Sequence, residues 1–268
     1  TYTCTKVEVP EKKKAGELLS PDEKWAAFRK DFNIWVRNLE SGEEIQLTQD
    51  GEEYFDYGSS PESNTQAVTI RLMKIDLPPM AVWSKDSSKL VTQRLDQRQV
   101  KDLHLLQSCP DEGQRPVLHT YKYAMVGDEH LPQEEIVILD VESRRVITAD
   151  CGAGNCSFLG SVESKNVWWS EDGLVVYLIR VSLDHKTIRL YRIDAQSGAS
   201  KLLLEEHGQT YVETTPVLGT QPNVCIIGGG SQIIWASERD GWFNLYRYDA
   251  ASGELLNPIT SGPFLVWE

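Results

Sequence analysis

Short apolar runs with a period of two dominate this chain. β-Branched and aromatic residues cluster at residues 25–28, 34–36, 136–139 and 175–179, and Gly, Asp, Ser and Asn bound these runs. Such a pattern is typical of strands that end in tight turns. Long stretches with a helical period are absent, and one short helix is predicted at about residues 64–74, just before Pro78 and Pro79.

Two turn motifs recur along the chain. The first is Ser-x-Asp followed by a strand, and it starts at Ser20, Ser84 and Ser170. The second is a strand that ends in Asp or Asn and continues into a Ser or Ser-Gly turn, with anchors at Asn38, Asp140, Asp194 and Asp249. Asp and Ser hydrogen-bond their own backbone in turns and Gly accepts a positive φ, so each motif predicts a hairpin corner.

Two hairpins per repeat make a four-stranded meander, and repetition of such sheets is typical of a β-propeller. Four units are predicted, at about residues 15–60, 75–150, 160–215 and 225–262, the second one enlarged. A β-sandwich would explain the alternation but not the recurring paired corners. We therefore predict an all-β, partial β-propeller of four-stranded antiparallel blades, with residues 1–268 a fragment of a propeller domain.

The net charge of the chain excludes some classes of binding partner. The chain has 268 residues with 27 basic and 40 acidic side chains, a net charge of −13. Nucleic acid and anionic membranes repel an acidic surface, so neither is predicted as a partner, whereas a cationic ligand such as a peptide amino terminus is compatible with the field. A hydrophobic content of 40%, with 8 Trp, suffices for a real core.

The candidate chemistry is sparse. No G-x-S-x-G, phosphate loop or H-E-x-x-H occurs and the five histidines are scattered, so no catalytic residue is predicted within this chain. No Cys or His cluster supplies four ligands, and neither a metal nor a cofactor is predicted. The five cysteines are odd in number, which favours a reducing compartment; Cys151 and Cys156 are either a small disulfide or free thiols.

One block carries a family resemblance. The stretch WASERDGWFNLYRYD at residues 235–249, followed by Thr260-Ser-Gly-Pro-Phe264, resembles the N-terminal propeller of the dipeptidyl peptidase IV group of prolyl oligopeptidase-like serine peptidases. Residues 18–28, 43–48, 54–58 and 123–132 are similar to the same family, so the resemblance covers nearly the whole chain.

The resemblance implies a propeller that restricts access to a peptidase active site and holds the peptide amino terminus. The implied partners are a peptide with a free amino end and an α/β-hydrolase domain after residue 268 that carries the Ser-Asp-His triad; a homodimer is left open. The alternative is a stand-alone TolB-like propeller that binds protein or ligand. A G-x-S-x-G sequence downstream in the gene would favour the peptidase.

The resemblance also implies substrate-binding residues. Typical members bind the ammonium with a Glu-Glu pair, and the matching run at residues 58–71 holds only Glu62, so strict dipeptidyl specificity does not follow. Arg71 and Glu213 are the other candidates, and Asn64 is a neutral hydrogen-bond acceptor close to Glu62 in the chain. In the SERDGW block (residues 237–242), Glu238, Arg239 and Asp240 are interpreted as residues that hold the fold, through a turn Asp and an ion pair at a blade corner. The aromatic pairs at 168–169 and 242–243 are predicted to pack between blades rather than form a recognition patch.

Overall fold

The computed structural model describes residues 14–63, 67–110, 115–156, 159–212 and 220–266. The first antiparallel sheet contains β1 (Leu18–Leu19), β2 (Trp25–Lys30), β3 (Asn33–Asn38) and β4 (Glu44–Gln46), in that spatial order. Its strands are short and joined by tight turns, as the period-two pattern predicts.

The second sheet is the enlarged one. Its region comprises β5 (Phe55–Tyr57), helix α1 (Ala67–Met73), β6 (Ala81–Trp83), β7 (Lys89–Asp96), the separate hairpin β8 (Asp102–Gln107) and β9 (Val117–Lys122), then β10 (Gln133–Asp140), β11 (Val146–Thr148) and β12 (Gly154–Asn155). Strands β5 and β6 both pair with β7, so residues 55–57 belong to this sheet and not to the first unit, where the sequence had placed them. Helix α1 lies within the predicted range.

The third and fourth sheets are regular four-stranded meanders. The third contains β13 (Val167–Trp169), β14 (Val175–Val181), β15 (Thr187–Asp194) and β16 (Ser200–His207). The fourth contains β17 (Val224–Ile227), a 3₁₀ turn (Gly228–Gly230), β18 (Gln232–Ser237), β19 (Asn244–Asp249) and β20 (Leu255–Pro258).

Each sheet packs face to face on the next, and strand β14 shows the principle. Val175, Tyr177 and Ile179 lie in a core cluster shared with the fourth sheet. Val176 and Leu178 lie in a second cluster, shared with the second sheet. Because alternate residues of a strand point to opposite faces, a strand buried on both sides reads as an unbroken apolar run.

A third cluster joins the first and second sheets in the same way. Four sheets in face-to-face succession exclude the two-sheet sandwich, and the prediction of a partial β-propeller with four blades is confirmed.

Tryptophans of the edge strands β6 and β13 connect successive sheets. Trp83 Nε1 donates to the carbonyl oxygen of Leu18 at 3.2 Å, and Trp169 Nε1 donates to that of Val82 at 2.9 Å. The same kind of contact thus links the first sheet to the second and the second to the third. This confirms the prediction that Trp169 packs between blades.

The Ser-x-Asp corners have the predicted local bonding. Ser170 Oγ donates to Asp172 Oδ1 at 2.6 Å and accepts from Val175 N at 3.0 Å. The corners that begin at Ser20 and Ser84 repeat both hydrogen bonds. Each hydroxyl thus satisfies a backbone donor that the turn leaves without a ladder partner.

The Ser-Gly corners also contact the preceding sheet. Asp194 Oδ1 accepts from the backbone N and Oγ of Ser197 at 2.8 and 2.7 Å. Gly198 follows with φ of +78°, and a Cβ there would lie 2.4 Å from the carbonyl oxygen of Thr148 on β11. Only glycine permits both this conformation and this approach. The corner is therefore a contact between sheets as well as a turn.

Candidate functional site

The β7–β10 insertion and helix α1 lie at the end of the sheets opposite to these corners. In each meander, the Ser-x-Asp and Ser-Gly turns join strands at one end, and the link between the two middle strands lies at the other. Gly58 carries the chain into this region with φ of +63°, and its amide donates to the carbonyl oxygen of Gln93 at 2.8 Å. We call the end that carries the insertion the open end.

Glu62 is fixed in place by three separate segments. Its backbone N donates to Gln97 Oε1 at 2.9 Å, beyond the end of β7. Its Oε2 accepts from the backbone N of Lys122 on β9 at 2.7 Å. Its Oε1 forms an ion pair with Arg71 of α1. The Glu62 side chain is 16% exposed, so the carboxylate is largely buried but still reaches solvent.

Arg71 bridges the helix and the β8–β9 hairpin. Its Nη1 donates to the carbonyl oxygen of Thr120 at 3.0 Å, while Nη2 pairs with Glu62. The arginine side chain remains 47% exposed. The structure thus brings together two of the three candidate substrate-binding residues. The third, Glu213, lies outside the described residues, and so does Asn64 beside Glu62.

Lys122 and Tyr54 hold the base of the hairpin beside Glu62. Lys122 Nζ lies 3.1 Å from Asp102 Oδ1 on β8 and 4.8 Å from the centroid of the Tyr54 ring. Tyr121 is buried next to it. These contacts position the backbone amide of Lys122, which donates the hydrogen bond to Glu62 Oε2.

A second acidic group at the open end is already paired. Asp56 on β5 forms an ion pair with Arg29 of β2, and Ser59 Oγ donates to its Oδ1 at 2.8 Å. Burial raises the pKa of Asp56 above its ordinary value, although the Arg29 charge and both hydrogen bonds oppose that rise. Asp56 joins the first sheet to the second, so its contacts indicate a structural role.

Arg94 also belongs to a paired network. It contacts Asp50 at 3.0 Å and pairs with Glu135, and it lies 4.6 Å from the centroid of the Phe55 ring. Tyr57 donates its hydroxyl to Asp50 at 2.7 Å, and burial followed by the Asp50 contact raises the pKa of Tyr57 to about 12. No sequence motif marks this network, because its members lie up to 85 residues apart.

Glu206 organises the SERDGW block. It accepts hydrogen bonds from Trp235 Nε1 at 2.6 Å, from Ser237 Oγ at 2.5 Å and from Arg239 Nη2 at 2.9 Å. Asp240 accepts from the Tyr246 hydroxyl at 2.6 Å. These contacts confirm the structural interpretation of Arg239 and Asp240.

The structure also tests the predictions for the cysteines, the aromatic pair at residues 242–243 and metal binding. Cys151 and Cys156 are free thiols, and burial, with Glu134 nearby, raises the pKa of Cys156. Phe243 is buried whereas Trp242 is 43% exposed, so the packing prediction is wrong for Trp242. Within the described ranges, no three His, Cys, Asp or Glu side chains group as metal ligands would, and no helix is long and apolar enough to cross a membrane.

Comparison with solved structures supports the fold. Porphyromonas gingivalis dipeptidyl peptidase 4 matches with a TM-score of 0.66 at 20% identity, over 92% of this chain and 32% of that one. A "putative dipeptidyl aminopeptidase IV" from Bacteroides ovatus matches with a TM-score of 0.63 at 20% identity, over 88% of this chain and 29% of that one. The chain therefore spans about a third of the length of these structures.

The family described as "Dipeptidyl peptidase IV (DPP IV) N-terminal region" matches residues 1–62 and 75–268, which is all of the chain except residues 63–74. The interruption begins directly after Glu62 and contains the whole of helix α1. With this extent of match, together with the shared fold, the chain belongs to the dipeptidyl peptidase IV N-terminal region family.

Proposed function

We propose that this chain is the non-catalytic propeller region of a dipeptidyl-peptidase-IV-like serine exopeptidase, in which it restricts access to the active site and binds the amino terminus of the peptide. Membership of the family supports the class of enzyme. The observation that carries the binding role is Glu62, a carboxylate held by backbone contacts at the open end.

The peptidase chemistry is assigned in this proposal to another part of the same polypeptide. An α/β-hydrolase domain would supply a serine nucleophile that attacks the peptide carbonyl and forms an acyl-enzyme. The propeller would contribute by orienting the peptide, since a bound ammonium fixes how far the scissile bond lies from the amino end. One carboxylate in place of two lowers the affinity for the ammonium, because each charge-assisted hydrogen bond contributes about 1.5–3 kcal/mol.

The substitution Glu62→Gln in the full-length polypeptide tests the proposal. It removes the negative charge and keeps an oxygen that can accept from Lys122 N. We expect KM for peptides with a free amino end to rise roughly tenfold to 150-fold, the equivalent of about 1.5–3 kcal/mol. KM for amino-acetylated peptides should stay unchanged.

Glu52→Gln is the matched control, because Glu52 is an exposed acid at the same end and pairs with Arg98. It should change neither KM. An equal effect of Glu62→Gln on free and acetylated peptides would remove Glu62 from the binding site.

A further inference from the structure

The segment that carries the partner of Glu62 lies outside the residues that match the family. Helix α1 lies wholly within residues 63–74, the part of the chain that the family does not match. Glu62 itself and the hairpin residues Thr120 and Lys122 lie within the matched part. The carboxylate and its backbone support thus lie among the matched residues, whereas the cation that pairs with the carboxylate lies in the segment that the family does not match.

The two sides of the Glu62 carboxylate are held differently. A backbone amide, Lys122 N, binds Oε2 at 2.7 Å, and the amide of Glu62 is itself fixed by Gln97. Oε1 is held by Arg71, a long side chain that is 47% exposed. A partly exposed ion pair is weak, because water and salt screen it and two side chains must be ordered to make it. The arginine can therefore leave while the carboxylate stays in position.

Arg71 also has a second anchor. Its Nη1 donates to the carbonyl oxygen of Thr120, which is independent of Glu62. A side chain that keeps this contact needs only a small rotation to release Oε1. The freed oxygen can accept a hydrogen bond from a compact ammonium, which carries three donors, whereas the guanidinium divides its donors between the carboxylate and the Thr120 carbonyl oxygen.

We infer that Arg71 is an internal competitor for the peptide ammonium: it occupies Glu62 when no peptide is bound and must be displaced when a free amino terminus binds. This inference rests on the proposed function, since it takes Glu62 as the ammonium site. It makes Arg71 a specificity-determining residue that lowers the affinity for amino termini and keeps the acidic site neutral between binding events.

Binding of alanyl-pyrrolidide to the full-length polypeptide, measured by calorimetry, tests the inference. This probe has a free ammonium, and its N-acetyl form is the neutral comparison. Arg71→Gln should bind the free amine about tenfold more tightly than the wild type and the acetylated form equally well. Lys74→Gln removes the same charge from an exposed side chain of the same segment and should change neither affinity.

The gain should depend on Glu62. In a Glu62→Gln background, Arg71→Gln should produce no further tightening. Arg71→Lys keeps the charge but loses the planar guanidinium that spans Glu62 and Thr120, so it should increase the affinity for the free amine by less than Arg71→Gln does. The same variant tests the inference if Arg71→Gln fails to fold.

The outcomes separate the two claims. If Arg71→Gln weakens or leaves unchanged the binding of the free amine, or tightens both probes equally, Arg71 is not a competitor, whatever Glu62 does. If Glu62→Gln does not alter the preference for the free amine over the acetylated probe, the proposed function itself is wrong. Failure of Arg71→Gln to bind the free amine at millimolar concentration also refutes the competitor.

Discussion

Trp235 offers the sharpest test of how the third and fourth sheets hold together. Its side chain is fully buried, and its Nε1 donates to Glu206 Oε2 at 2.6 Å. The change Trp235→Phe removes that donor and part of the ring while it keeps an aromatic group in the core. The neighbouring contacts of Ser237 and Arg239 to the same carboxylate remain.

The expected cost follows from these contacts. A hydrogen bond to a charged acceptor contributes about 1.5–3 kcal/mol. The lost part of the ring adds about 1–2 kcal/mol, at roughly 0.8 kcal/mol for each buried CH₂ equivalent. We therefore expect Trp235→Phe to reduce the free energy of unfolding by about 2.5–5 kcal/mol, a large fraction of the roughly 5–15 kcal/mol of a typical domain.

Urea unfolding followed by circular dichroism measures this change. Trp242→Phe is the matched control, because Trp242 is 43% exposed on the same block, and it should change the free energy of unfolding by less than about 0.5 kcal/mol. A double-mutant cycle of Trp235→Phe with Glu206→Gln isolates the pair, with an expected coupling of about 1–2 kcal/mol. A coupling energy of zero within error would show that the hydrogen bond is not a source of stability.

Two further predictions concern the corners and the links between sheets. Hydrogen bonds from Ser197 hold the pKa of Asp194 below its ordinary value, so its stabilisation is complete above the unfolded pKa of about 3.9 and is lost as pH falls through the lower folded value. Asp194→Asn, which copies Asn38 of the first sheet, should flatten the stability–pH curve below pH 4 in acid titrations, and an unchanged slope would contradict this. Trp169→Phe removes the donor to Val82 and should lower the free energy of unfolding by about 0.5–1.5 kcal/mol in urea titrations; no loss would count against the sheet-to-sheet hydrogen bond.

The features that the sequence predicted best are those made by neighbours in the chain. Asp194 bonds to Ser197 three residues away, and Ser170 to Asp172 two residues away, so residue type and spacing suffice to identify both corners. Unbroken apolar runs, such as residues 175–179 of β14, likewise indicate which strands have two buried faces. These local rules repeat in each sheet, and the repetition indicates the propeller.

Contacts between residues far apart in the chain cannot be predicted from these local patterns. Glu206 lies 29 residues from Trp235 and has no motif of its own, so nothing in the sequence marks it as the acceptor. Likewise, Glu62 and Arg71 could be named as candidates, but the dependence of both on the β8–β9 hairpin follows from pairings about 50 to 60 residues apart. The strand at residues 55–57 was assigned to the wrong sheet for the same reason.

The close contact of two corner glycines with the preceding sheet has a consequence for protein engineering. Gly198 lies against Thr148 and Gly253 against Leu203 of the preceding sheet, and a Cβ at either would approach a carbonyl oxygen closely. Gly42 at the equivalent turn of the first sheet has open space around it. A fluorophore, affinity tag or surface tether grafted beside residue 42 should therefore leave the stack undisturbed, whereas the same graft at residue 198 or 253 would wedge two sheets apart.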